Sequence, residues 1–317
     1  GSAKGLAHIG VLKLLKELDI KIDFIAGTSI GAFIGGAFAA GISVEEMEEL
    51  ALNIDLISTV KLFFPGIPKS GIVTGRKVWG LLISHLGNRK IENLKIPFSA
   101  VATDIISGEE KIFKEGNLVE AIRASISIPI IFKPVIHNNI ILVDGGLVNP
   151  VPIDTVRKMG AEFIIAVNVL SSSKNKNPHK IEENNDSDDS INSSDILSVY
   201  HKKIESLIIN HKWLKFFLNR KEHADLPGMK KIFDQSIQIT QEKLTELSLK
   251  LNKPDILIEP ELEFVNRFDY FKAKKIIEKG YESAKNIIEF RESKTKNLSD
   301  SIVHFSRFQK KPNSINF

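Results

Sequence analysis

The residues best suited to chemistry in this sequence lie in three short glycine-bearing stretches. The first is Gly27-Thr28-Ser29-Ile30-Gly31, a match to G-x-S-x-G. Its glycines allow a sharp strand-to-helix turn that stands the Ser29 hydroxyl clear at a helix N-terminus. Backbone N–H groups and the positive helix end favour developing negative charge there. An apolar run, Asp23–Ala26, leads in and a long apolar stretch follows. Close packing of a glycine-rich helix on a sheet uses the same residues, so the pattern alone leaves both readings open.

A nucleophilic serine needs a base. A Ser-His-Asp arrangement requires a well-placed histidine. His85, His137, His179, His201, His211, His223 and His304 all lie in undistinguished polar, basic or tail contexts. His8 falls on the first helix, where a partly buried or surface position accounts for it. Asp144 has the better setting, after the apolar run Ile140–Val143 and before Gly145-Gly146. A carboxylate ending a buried strand, with two glycines opening the backbone behind it, is where an α/β site holds a base. A plain turn uses the same three residues. The third stretch, Gly1-Ser2-Ala3-Lys4-Gly5, enters a helix and presents N–H groups to an anion or oxyanion, or simply caps that helix. A Walker loop occurs nowhere in the sequence.

Positioning these stretches falls to alternating helix and strand patterns over residues 1–170. Leu6–Leu18 has helical spacing, with Ile9, Leu12 and Leu15 on one side and Lys13, Lys16 and Glu17 opposite. Ser43 and Glu46 form a capping-box signature for a helix running to Asn53. Phe98–Thr103, Ile140–Val143 and Phe163–Leu170 are apolar runs of strand length, with helical patterns at Val119–Ser125 and Pro152–Met159 between them. Such alternation predicts a parallel α/β sheet layered by helices. Further on, Ile237–Leu251 and Phe268–Phe290 read as helices and Pro254–Ile258 as a strand.

The composition bounds the alternatives. With 317 residues, 43% hydrophobic and 26% charged, the chain is of ordinary globular type. A balance of 43 basic against 39 acidic residues gives little reason to expect nucleic acid as a partner. The absence of cysteine excludes a disulfide scaffold and any thiolate nucleophile or metal ligand, and fits a reducing compartment. The expected location is the cytoplasm, with contact at the membrane surface. The opening GSAKGLAHIG lacks the charged-then-apolar pattern of a secretion signal, and the chain is expected to start downstream of a natural N-terminus. Phe24–Val44 holds no charge over 21 positions, long enough to span a bilayer. Its abundance of Gly and Ala and its fit to a strand, turn and helix argue against a span.

Composition shifts at Ser171: through Ser194, Ser, Asn and Asp supply 15 of 24 residues. Such a stretch cannot repay its ordering entropy. The expected organisation is therefore one domain over 1–290, interrupted by a disordered insertion at 171–200 and a basic amphipathic segment at 201–235. A polar tail follows at 291–317. Within that segment, 201–221 carries six Lys/Arg against one Glu with an apolar face broadened by Trp213 and Phe216. Such a helix suits an anionic membrane surface, a cap over the core, or a dimer contact equally. Leu62–Pro68 is a further apolar loop that would border an acyl pocket.

Taken in order, GSAKGLAHIGVL, GTSIGA, SGIVTGRKV, RASISIPIIFKPV and DGGLVNPVP resemble the patatin-like phospholipase family. The resemblance covers about residues 1–170 and roughly 254–290. It implies a three-layer α/β/α fold with a mainly parallel central sheet, and a Ser–Asp dyad acting on lipid acyl esters. No metal or other cofactor is implied. Carried over by position, Ser29 is the nucleophile and Asp144 the base, with Gly27, Gly31, Gly145 and Gly146 as the motif glycines. Gly1 and Ser2 correspond to the oxyanion loop, and Lys4 to its basic residue, which would attract a phosphate head group. Ser2 stands where the family has Gly, and the first Gly and the strand before it are expected upstream. Arg123 is expected to tie down the loop near the site without entering it. The implied activity is a lipid acyl hydrolase of phospholipase A, lysophospholipase or carboxylesterase type, through an acyl-enzyme. The rivals are a non-catalytic lipid-binding or scaffold protein keeping the fold, and a Ser-His-Asp esterase.

Overall fold

The computed structural model describes residues 2–53, 84, 86–129, 131–170, 229–297 and 313–316. The chain divides into two compact units, residues 1–174 with 237–317, and residues 175–236. The first unit carries the sheet. The expected insertion at 171–200, the basic stretch 201–221 and the Leu62–Pro68 loop lie outside the described residues.

A 3-10 turn at Ser2–Leu6 runs into α1 (Ala7–Glu17), which buries Ile9, Leu12 and Leu15 as its spacing predicts. Next come β1 (Phe24–Thr28), α2 (Ile30–Ala39) and α3 (Val44–Leu52). The cap on α3 forms as expected, with the Ser43 hydroxyl accepting from the Glu46 N–H at 3.1 Å. After these stand β2 (Phe98–Asp104), β3 (Glu110–Phe113) and α4 (Leu118–Ser125). The next elements are β4 (Val135–His137), β5 (Ile140–Asp144), α5 (Ile153–Lys158) and β6 (Phe163–Val167). The chain closes with α6 (Met229–Leu251), β7 (Ile256–Ile258), α7 (Ala273–Asn297) and β8 (Asn313–Asn316).

The strands form one sheet in the order β4-β5-β2-β1-β8-β6-β7, with β3 also paired to β2. β2, β1, β8, β6 and β7 run parallel, while β3, β4 and β5 pair antiparallel at one side. Alternate residues feed two cores, as strand geometry requires. Ile25 of β1 and Ile165 of β6 join α1, α2, α4 and α7 on one face. Ala26, Ile164 and Ala166 join α5 and the end of α6 on the other. Helices thus cover both faces of a mainly parallel sheet, the three-layer α/β/α arrangement. The seam between α1 and α7 is drawn tight by glycine. A Cβ on Gly10 would stand 1.9 Å from the Ile277 carbonyl oxygen, and one on Gly280 2.0 Å from that of Ala7.

Three strands depart from the sequence reading, each for a physical reason. β3 is half-polar, and β4 has only three residues. β8, Asn-Ser-Ile-Asn, has no apolar run, yet pairs with both β1 and β6 through its backbone. Where a polar tail was expected from residue 291, α7 instead runs on to Asn297, and β8 follows. The uncharged Phe24–Val44 stretch is β1, its turn and the ten-residue α2. Among the described residues no helix is long and apolar enough to cross a membrane.

His8 is 1% exposed on α1, which corrects the partly exposed position open to it in the sequence. Burial lowers its pKa to about 3. An unfolded histidine titrates near ~6.5. Between those values the unfolded chain binds a proton that the native state refuses, so this group removes stability as pH falls through the window. A His8→Leu variant is therefore expected to gain thermal midpoint relative to wild type on going from pH 7 to pH 5. A difference that stays constant with pH would count against this coupling.

Candidate active site

Strand β2 acts as the ruler of the site. Ala100 and Val101 pair with both β1 and β3, and Ala102 and Thr103 pair with both β3 and β5. β3 therefore takes one edge of β2, and β1 and β5 share the other, end to end. Thr28 lies opposite Val101 and Asp144 opposite Ala102, the next residue along. Because β5 runs antiparallel to β2, the C-terminal ends of β1 and β5 meet head to head. Ser29 and Asp144, 115 residues apart in sequence, are brought together by that register.

Ser29 turns off the end of β1 at φ 58° and ψ −127°, and α2 begins at the next residue. A left-handed backbone at a residue with a side chain costs on the order of 1–3 kcal/mol and persists only where its surroundings fix it. Here the fixing is explicit. The Ser29 N–H donates to Ser125 Oγ at 2.9 Å, and the neighbouring Thr28 Oγ1 donates to the Asn149 carbonyl at 2.7 Å. Gly27 has no room for a side chain, since a Cβ would fall 2.6 Å from the Ala32 nitrogen and the Gly31 carbonyl.

Asp144 is 3% exposed and held at four points. Its Oδ2 accepts from Ser29 Oγ at 2.6 Å and its Oδ1 from the Gly146 N–H at 2.8 Å. Its backbone N–H donates to the Ser127 carbonyl at 3.0 Å, and its carbonyl accepts from Thr103 Oγ1 at 2.9 Å. Burial raises the pKa of the carboxyl above its ordinary range, against the lowering effect of the bonds from Ser29 and Gly146. Gly145 closes the corner: a Cβ there would meet the Val101 carbonyl oxygen at 2.3 Å. A Cβ on Gly146 would press on the side-chain nitrogen of Gln241 at 2.5 Å, a softer obstacle.

The stretch RASISIP supplies the support. Arg123 is 8% exposed and donates to Ser127 Oγ at 2.6 Å and to the Lys133 carbonyl at 3.0 Å, with its guanidinium 5.5 Å from the Phe132 ring centre. It thereby fixes the residue whose carbonyl holds Asp144 and touches neither Ser29 nor Asp144. Ser125 lies within RASISIP and Thr103 at the end of the Phe98–Thr103 run, but neither was singled out as a site residue from the sequence. Their one signal was a hydroxyl next to buried apolar residues, Ala124 beside Ser125 and Ala102 beside Thr103.

The amino-terminal loop lies beside the turn. A Cβ on Gly5 would stand 1.9 Å from the side chain of Ile30, the residue after Ser29. Ser2 has φ 51°, and the Ala3 N–H donates to the Arg267 carbonyl at 3.1 Å. Lys4 is half-buried, and Gly1 lies outside the described residues. Of the two histidines among the described residues, His8 is buried in α1. His137 pairs with Glu120 at 3.0 Å and stacks edge-on to Phe113. Neither bonds to Ser29 or Asp144. Among the described residues no group of acidic or histidine side chains has metal-binding geometry.

Residues 1–157 match the family described as patatin-like phospholipase. An uncharacterized NTE family protein of Mycobacterium tuberculosis (strain ATCC 25618 / H37Rv) is 38% identical over 172 residues, 54% of this chain and 48% of that protein. Patatin-like phospholipase domain-containing protein 7 of Rattus norvegicus is 34% identical over 176 residues, 54% of this chain and 13% of that protein. The match thus spans about half the mycobacterial relative and a small part of the rat one. Among solved structures, VipD from Legionella pneumophila aligns with a TM-score of 0.41 and 13% identity, covering 91% of this chain and 65% of that one.

The geometry has a thermodynamic consequence. A carboxyl whose native pKa is raised adds less stability once pH passes from its unfolded value through its native one, because the ionised form is the disfavoured one in the fold. Asp144→Asn keeps the shape and removes that penalty. It is expected to raise the thermal midpoint at pH 7 relative to pH 4. A variant equally shifted at both pH values would remove burial as the cause.

Proposed function

We propose that this chain is a serine-dependent lipid acyl hydrolase working through a Ser29–Asp144 dyad. The observation that carries the reading is the 2.6 Å hydrogen bond from the hydroxyl of a partly buried Ser29 to a buried carboxylate, at a strained turn. The match of residues 1–157 to the patatin-like phospholipase family supports the substrate class.

In this mechanism Asp144 Oδ2 takes the Ser29 proton as Oγ attacks the ester carbonyl. The tetrahedral intermediate collapses, its C–O bond breaks, and Asp144 returns the proton to the departing alcohol. An acyl-serine remains. Water then attacks it with Asp144 again as base, releasing the fatty acid and restoring the Ser29 hydroxyl. The oxyanion is held by the backbone N–H groups of Gly1 and Ser2, a contribution of about 3 kcal/mol per donor. The Ser29 and Ala3 N–H groups are already engaged, by Ser125 and the Arg267 carbonyl, and take no part. Lys4 draws the phosphate head group toward the loop. The basic stretch 201–221 meets the anionic membrane surface that presents the substrate.

Fluorophosphonate labelling and release of fatty acid from phosphatidylcholine vesicles test the reading together. Ser29→Ala is expected to abolish both while leaving the thermal midpoint within a few degrees. The acid limb of the wild-type rate should lie above ~4, the ordinary carboxylate value, because burial raises the Asp144 pKa. It should persist in His137→Gln. Full labelling of Ser29→Ala, or loss of the limb with the histidine, would overturn the dyad. Changing Trp213 and Phe216 to Ser is expected to weaken partitioning onto anionic vesicles without reducing labelling; unchanged partitioning would reject the surface role.

A further inference from the structure

The register of β1 and β2 shows what the Ser29 turn interrupts. The Ile25 N–H donates to the Pro97 carbonyl at 3.0 Å, and Ile25 lies opposite Phe98. In a parallel pair such rungs recur at every second residue. The next rungs from β1 therefore run from Gly27 to Ser99 and from Ser29 to the Val101 carbonyl. That last rung is absent in its direct form. The hydroxyl of Ser125, at the end of α4, accepts from the Ser29 N–H at 2.9 Å and donates to the Val101 carbonyl at 2.6 Å. Ser125 is fully buried, and the Val101 carbonyl is crowded from another side by the Gly145 backbone.

We propose that Ser125 is the positioning residue of the nucleophile. Its hydroxyl stands in place of the next β1–β2 rung, so Ser29 leaves the sheet with its N–H satisfied and its Oγ directed at Asp144. The proposal rests on the dyad reading for its effect on rate, though its structural half stands apart from it. Without the hydroxyl, the Ser29 N–H and the buried Val101 carbonyl both lose their partner. With both groups unpaired the turn loosens, and Ser29 Oγ is no longer held toward Asp144. A hydroxyl is the group required, since it alone among small side chains accepts from one backbone group and donates to another.

The test combines kinetics and hydrogen exchange on the full chain. In Ser125→Ala the second-order rate of fluorophosphonate labelling is expected to fall roughly 10- to 100-fold, as for a reacting group displaced by a fraction of an ångström. With a soluble p-nitrophenyl ester the loss should appear in kcat, with KM within about twofold. Ser125→Thr, which restores the hydroxyl, should recover most of the rate. Two other substitutions serve as controls. Thr155→Val alters a buried hydroxyl that has no hydrogen-bond partner among the described residues, and Ile276→Val removes a core methylene; both should label at the wild-type rate. Exchange of the Ser29 amide should quicken by about tenfold in Ser125→Ala while that of Gly27 stays protected.

Wild-type labelling of Ser125→Ala, or unchanged exchange at Ser29, would overturn the proposal. A loss of rate matched by Ile276→Val would overturn it too, as general destabilisation. If the wild-type chain takes no label yet Ser29 exchange responds to Ser125→Ala, the hydrolase reading fails and the positioning of the turn stands. Should Ser125→Ala not fold, Ser125→Cys carries the same comparison, with a thiol that fills the space and bonds weakly.

Discussion

The site depends on one constraint, the sharing of a single β2 edge by two strands that run in opposite directions. β1 arrives parallel to β2 and stops at Val101; β5 arrives antiparallel and stops at Ala102. Where they meet, the ladder cannot continue in either pattern, and backbone groups at the junction lose their regular partners. Buried N–H and C=O groups left in that state cost ~1–3 kcal/mol each. The fold answers with hydroxyls: Ser125 at Ser29 and Val101, Thr103 at the Asp144 carbonyl, and Thr28 at the Asn149 carbonyl. Each is short enough to sit inside the junction without opening it.

The helices make that junction rigid enough to hold strain. α2 packs against β1 so closely that Gly27 admits no side chain, and α4 delivers Ser125 and Arg123 from above β2. Arg123 is an instance where burial alone gives the wrong impression of cost. Its guanidinium is taken out of water, which lowers its pKa, but two hydrogen bonds and the face of Phe132 meet it there. A buried cation left without such partners would cost several kcal/mol. Held this way, it anchors the loop that carries Ser127, whose carbonyl in turn holds the Asp144 backbone.

Much of this was legible in the sequence, wherever burial imposes a pattern on side chains. Phe98–Thr103 and Ile140–Val143 read as strands because both faces of a covered sheet demand apolar residues. G-x-S-x-G read as a turn because the backbone there needs glycine. Ser29 and Asp144 stood out as candidates through the same two signals, an apolar run and the glycines that end it. What escaped was structure made by backbones. Asn313–Asn316 pairs in the middle of the sheet with almost no apolar content, and a strand held by its ladder writes nothing in its side chains. Ser125 escaped for a related reason: its task is to complete a backbone ladder, and nothing local marks which rung is missing. The register of β1 on β2 had to be known first.

The same junction also sets the chemistry of the carboxylate. A carboxylate in direct contact with a serine, with no imidazole between, is a weak base at its ordinary pKa of ~4. Proton transfer from a hydroxyl to such a group is steeply uphill, so the environment must make the charge less comfortable. Two hydrogen bonds, from Ser29 and Gly146, work against this by stabilising the ionised form. Burial works for it, and burial prevails, since the net displacement is upward. Had β5 ended at the rim of the sheet, water would have restored the ordinary acidity, and the short contact with Ser29 would have had little basic strength behind it. Ending it against β1, inside the edge of β2, gives proximity and basicity through one placement. The register, more than either motif, thus brings a carboxylate and a hydroxyl into direct contact at a buried point of the sheet.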